Sequence, residues 1–118
     1  MTQLFGAGIW HFASYVDRYA TDGYKEPIGM LDMIDRAGEV GDLSVVDLNY
    51  PFPGWDGPLD DVKARLAKNN LSVIGITPEM YTRQFSKGAF TNPDPGVRRA
   101  AHDLITEAAG VVRELGAS

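Results

Sequence analysis

Three short apolar runs, starting roughly 30–40 residues apart, constrain this chain more than any other feature: LFGAGIWHF at Leu4–Phe12, LSVVDL at Leu43–Leu48 and LSVIGI at Leu71–Ile76. The second and third carry β-branched residues at successive positions. That pattern suits strands buried on both faces, as parallel sheets require. The first contains Gly6 and Gly8, which weaken a strand unless a neighbouring backbone or a ligand comes close. It reads as a buried strand ending near Trp10-His11.

Helical periodicity separates the runs. Pro27 suits a first helical turn, where its missing N–H costs nothing, and Ile28, Leu31, Ile34 and Ala37 then recur at helical spacing up to Gly41. After the loop NYPFPGWDG, a second helix starts at Pro58 or Leu59. Leu59, Val62 and Leu66 share one face, and Asn69-Asn70 suits the exit because Asn tolerates the left-handed conformation. The third helix has the best start signal, with Asp94 as N-cap and Pro95 as first residue, and Gly116 is a natural C-cap. Val97, Ala101, Leu104, Ile105, Ala108, Val111, Val112 and Leu115 give it a wide apolar stripe.

The order β-α-β-α-β-α predicts an α/β domain over residues 1–118, with a parallel sheet, right-handed crossovers and helical cover. GAGIWH has two glycines and lacks the third of a dinucleotide-binding turn, which disfavours phosphate cradling of that kind. The net charge of −5 argues against nucleic acid, whose binders show a basic stripe. Arg98-Arg99 is the one adjacent basic pair and reads as a solvated helix face. The absence of cysteine removes disulfides, thiolate metal sites and thiol nucleophiles. No apolar run approaches the ~18–20 residues of a membrane span. MTQLFGAGIWHFASY has no basic n-region, so the expected location is cytoplasmic, with no membrane partner.

In βα architectures ligands bind at the carboxyl ends of the strands. Those ends carry Trp10-His11-Phe12, Asn49-Tyr50 and Thr77 to Tyr81, a set of aromatics and hydrogen-bonding groups that fits a small polar ligand such as a sugar. Thr77–Pro93, about 17 residues, far exceeds the usual connection of about 2–6 and is expected to touch that ligand. Ala13–Glu26 is also long, and its Tyr15, Tyr19 and Tyr24 are candidates for an oligomer interface. His102 reads as surface or packing, and Asp94 as a cap. Asp47 reads as an orienting or structural hydrogen-bond group, Glu79 as a carboxylate with no second one at metal spacing, and Trp55 as a lid or a subunit contact.

Several of these segments resemble the xylose isomerase-like TIM barrels, which include the sugar phosphate isomerase/epimerase group. The resemblance rests on Tyr81-Thr82, Gly88-Ala89-Phe90-Thr91-Asn92, Val97-Arg98-Arg99, Glu114-Leu115-Gly116-Ala117 and the opening FGAGIWHF. It implies the N-terminal three βα units of a (βα)8 barrel, incomplete as given, since a closed barrel needs ~250 residues. By position it makes Trp10 and Tyr81 aromatic walls of a sugar pocket and places Thr77 on the rim. Asn49 stands where xylose isomerases end the second strand in histidine, followed by Tyr50, both as substrate contacts. That departure points towards the isomerase, epimerase and lyase relatives. His11 is the candidate catalytic base. The resemblance implies enediol chemistry beside a carbonyl and a divalent metal (Mn2+, Mg2+ or similar) held by ligands outside this chain. It also implies the remainder of the barrel as partner and a homo-oligomer. Alternatives are the catalytic subunit of a C-glycoside deglycosylase, a lyase acting on 3-keto C-glycosides, or a non-catalytic α/β binding or assembly module.

Overall fold

A computed structural model describes residues 3–14, 19–20 and 23–117 of the chain. Its element order is β1 (Gly6–Gly8), a 3-10 turn (Ile9–Phe12), α1 (Met30–Gly38), β2 (Val45–Tyr50), α2 (Leu59–Lys68), β3 (Ser72–Pro78), a short 3-10 turn (Arg83–Phe85) and α3 (Pro95–Leu115). The strands form one parallel sheet in the order β1-β2-β3. This is the α/β arrangement expected from the alternating apolar runs and helices.

The first strand is shorter than its apolar run predicts. Pairing stops at Gly8, and Ile9–Phe12 coils into a 3-10 turn. Both glycines are explained by close approach. A Cβ on Gly6 would lie 2.6 Å from Val45 Cγ2 of the paired strand. One on Gly8 would lie 2.1 Å from the Trp10 ring, which folds back over that backbone.

α1 starts three residues after Pro27, at Met30, because the loop after β2 supplies its cap. Gly29 is extended and has no capping side chain, and the Met30 N–H donates to the Pro53 carbonyl at 2.6 Å. The residues Met30, Met33, Ile34 and Ala37 are buried, one helical stripe at i, i+3, i+4 and i+7. α2 and α3 begin where their start signals place them. Asp94 accepts from the Gly96 N–H at 2.7 Å, Pro95 opens α3, and Gly116 closes it at φ 69°. Asn70 leaves α2 at φ 53°, the left-handed exit expected of Asn.

Val46, Leu48 and Val73 of the sheet share one buried cluster with Met30, Met33 and Ile34 of α1 and Val62 and Leu66 of α2; Leu115 of α3 packs against it. Burying side chains of this size is worth about 1.5–3 kcal/mol each. Helices therefore cover one face of the sheet. The expected burial of the strands on both faces does not hold: Ile74 on β3 is 55% exposed, and β3 pairs only with β2 among the described residues. The α3 stripe is also only partly covered. Ala101 and Ala108 are buried, while Ile105 is 41% exposed.

At the opposite end from the strand carboxyl ends, α1 and α2 are tied by polar contacts. Arg65 Nη1 donates to Asp35 Oδ2 at 2.5 Å and Asn69 Nδ2 donates to Asp35 Oδ1 at 2.9 Å. Burial alone would raise the Asp35 pKa, but the Asn69 hydrogen bond and the Arg65 and Lys68 charges bring it below the ordinary value. No helix among the described residues is long and apolar enough to cross a membrane.

Candidate functional site

Strand alternation decides which residues meet at the carboxyl ends. Along β2, Val46 and Leu48 face the helices, so Asp47 and Asn49 lie on the other face. The β2–β3 register slips between Val46 and Asp47. Val46 aligns with Val73 and Asp47 with Gly75, which leaves Ile74 as an extra residue on β3. Such an insertion re-aims the side chains beyond it. It sets Thr77 level with Asn49 and sends Ile76 towards the core.

Two hydrogen-bonded groups result. Thr77 Oγ1 donates to Asp47 Oδ1 at 2.8 Å. Above it, Asn49 Nδ2 donates to the Tyr81 oxygen at 3.0 Å, and the Tyr81 hydroxyl donates to Glu79 Oε1 at 3.2 Å. Asn49 is only 4% exposed, so its amide has a fixed partner rather than solvent. Burial raises the Glu79 pKa, partly offset by the bond from Tyr81. The Tyr81 phenol is pushed up to about 12, by burial first and then by the Glu79 carboxylate, with the Asn49 bond acting against it. Tyr81 thus keeps its proton at any ordinary pH.

Tyr50 takes a different direction. Its hydroxyl donates to Glu107 Oε2 of α3 at 3.3 Å, and its ring meets Phe52 edge-on at 5.5 Å. Burial, then the Glu107 charge and hydrogen bond, raises its pKa. Tyr50 and Asn49, adjacent in sequence, therefore serve different neighbours. Beside Tyr50 runs a groove of about 470 Å³ between the segment after β3 and α3. Glu79, Thr82 and Gln84 line one side, and Asp103, Leu104 and Glu107 the other. That volume is in the range of small-molecule sites, about 300–1,000 Å³.

At the end of β1, Trp10 is 40% exposed and its ring lies 5.9 Å from that of His11. His11 Nδ1 lies 3.0 Å from the Gly8 carbonyl oxygen. A carbonyl only accepts, so that nitrogen carries the hydrogen, which leaves Nε2 as the ring's other hydrogen-bonding atom.

The remaining candidates have mostly local partners. Trp55 packs against the core and donates from Nε1 to the Pro58 carbonyl at 3.4 Å. His102 is exposed and meets Phe90 edge-on at 5.0 Å. Tyr19 and Tyr24 are 84% and 62% exposed, and Tyr15 lies outside the described residues. Part of Thr77–Pro93 is folded on itself. Phe85 is buried, Asn92 Nδ2 donates to the Gly88 carbonyl at 2.7 Å, and Arg98 Nη1 donates to the Asn92 and Pro93 carbonyls. Arg98 is thus a loop clamp as well as half of a basic pair. Among the described residues, no three His, Asp or Glu side chains come together as a metal-ligating group.

No family model matches the chain. Over an aligned length of 62 residues that covers 48% of the chain, the sequence is 32% identical to part of the Non-structural polyprotein 1AB of Ovine astrovirus 1. The match spans 5% of that polyprotein.

Proposed function

We propose that this chain is the N-terminal βα portion of a xylose isomerase-like barrel and that its strand carboxyl ends form one wall of a sugar pocket. The parent enzyme would be a sugar isomerase or epimerase working by proton abstraction beside a carbonyl. The observation that carries this reading is the Asn49–Tyr81–Glu79 hydrogen-bonded chain across the ends of β2 and β3. Fixed amide and phenol groups beside an aromatic face are what binding the hydroxyls and C–H face of a sugar requires. The helix-covered single face, the edge of β3 that pairs only with β2 among the described residues, and the exposed Ile74 support a sheet that continues into further strands.

Among the described residues no metal-ligand group comes together, and the divalent metal that the family resemblance implies would be held by ligands outside this chain. In this reading Trp10 and Tyr81 form the aromatic walls, Asn49 and Thr77 fix polar groups, and His11 offers Nε2 to a hydroxyl or a proton. Tyr50 contributes from the groove side through Glu107.

Saturation-transfer NMR of the chain against a panel of aldoses, ketoses and 3-keto glycosides tests it. The expected result is transfer to neutral sugars that Tyr81→Ala abolishes. No transfer to any member, or transfer unchanged in Tyr81→Ala, contradicts the reading. Selective transfer to the keto-glycosides would move the parent to the lyase class.

A further inference from the structure

The groove beside α3 has a carboxyl group in a position that no other acidic residue of the site shares. Glu79 lines that groove and at the same time ends the hydrogen-bonded chain from β2. The chain has a direction. Asn49 Nδ2 can only donate, so it occupies the acceptor side of the Tyr81 oxygen, and the single Tyr81 proton is committed to Glu79 Oε1. Glu79 thereby has a neutral donor, and among the described residues no lysine or arginine lines the groove. Its backbone is pinned as well, because the Glu79 N–H donates to the Tyr50 carbonyl at 2.8 Å. Asp103 and Glu107 face it from α3, and Glu107 is occupied by the Tyr50 hydroxyl.

We propose that Glu79 is the proton-transfer carboxyl of this pocket, with Tyr81 and Asn49 as its positioning residues. The assignment rests on the sugar-pocket reading and names the group that works in it. The carboxylate takes the proton from the carbon beside the substrate carbonyl. The C–H electron pair becomes the enediol double bond, and the carboxylic acid returns the proton to the neighbouring carbon while the hydroxyl proton crosses between the two oxygens. No oxidant or further reactant enters. Burial favours the protonated form, against the bond from Tyr81, and the net upward direction suits a group that both takes and returns a proton. The raised Tyr81 pKa keeps the positioning donor intact throughout.

The test is affinity labelling of the full 118-residue chain with glycidol, a neutral epoxide whose ring a positioned carboxylate opens to form an ester. Peptide mass spectrometry should find the ester on Glu79 several-fold above Asp103, Glu107 and the exposed Asp60, with a pH profile displaced upwards from that of Asp60. Glu79→Gln should lose that ester while keeping its circular dichroism. Tyr81→Phe should spread the label over the other carboxylates. Equal labelling of Glu79, Asp103 and Asp60, or a Glu79 profile matching that of Asp60, overturns the assignment. Excess D-fructose or D-xylose should protect Glu79. Selective labelling without such protection overturns the sugar reading and upholds the carboxyl assignment.

Discussion

Asn49 of β2 donates through Nδ2 to the phenol oxygen of Tyr81, 3.0 Å away and 32 residues further along the chain. This bond ties the end of the central strand to the segment after β3, and it depends on the register slip that leaves Ile74 unpaired. Replacing Asn49 by Ala removes the donor to the Tyr81 oxygen and leaves a gap where Asn49 is 4% exposed. The expected loss is about 1–2 kcal/mol in urea unfolding, with the slope unchanged. The same variant should titrate Tyr81 at still higher pH, because the Asn49 bond lowers that pKa in the wild type.

Glu79 and Asp35 impose opposite pH dependences. The folded chain raises the Glu79 pKa, so above its ordinary value of 4.5 the native state holds more protons than the unfolded state. Stability therefore declines as pH rises from there through the raised value. Asp35 is lowered from 3.8, and its stabilising share is lost as pH falls through its folded value. Melting temperatures of Glu79→Gln should gain on the wild type as pH rises from about 4 to about 7. Parallel profiles would show that Glu79 is not shifted.

The same substitution should have opposite signs at two helical glycines. A Cβ on Gly38 of α1 would fall 2.0 Å from Asn69 Oδ1, against the junction with α2. Gly38→Ala should destabilise by about 1–3 kcal/mol. A Cβ on Gly110 of α3 meets nothing within 4 Å. Gly110→Ala should stabilise by about 0.5–1 kcal/mol, as expected for an open helix interior. Chemical denaturation of both variants checks the pair.

Gly8→Ala should displace Trp10 rather than unfold the chain. The added methyl meets the far end of the indole, which is 40% exposed and has room to swing. Tryptophan emission should shift to the red with little change in melting temperature. A large loss of stability would mean that the indole is locked in place.

The legible parts of the fold were those with local chemistry. Asp94, Pro95 and Gly116 mark the ends of α3 through capping alone, and Asn70 announces its left-handed turn. The start of α1 was not legible, because its cap is the Pro53 carbonyl from a later loop. Nor was the end of β1, since Gly8 answers to Trp10, two residues further on. At the site, alternation along β2 already separates Asn49 from Tyr50, and that signal was available. The extra residue Ile74 was not, and it determines that Thr77 reaches Asp47. Glu79 looked isolated in the sequence because its backbone partner, Tyr50, lies on β2 and the carboxylates that share its groove lie on α3.

The central claim is that a neutral sugar binds at the strand carboxyl ends, and residue-resolved amide NMR titration tests it most directly. On adding D-xylose or D-fructose to the labelled chain, shifts should concentrate at Trp10, Asn49, Glu79 and Tyr81. They should be absent around Asp35, Arg65 and Asn69 at the opposite end. Shifts confined to that opposite end, or none at saturating sugar, would contradict the account.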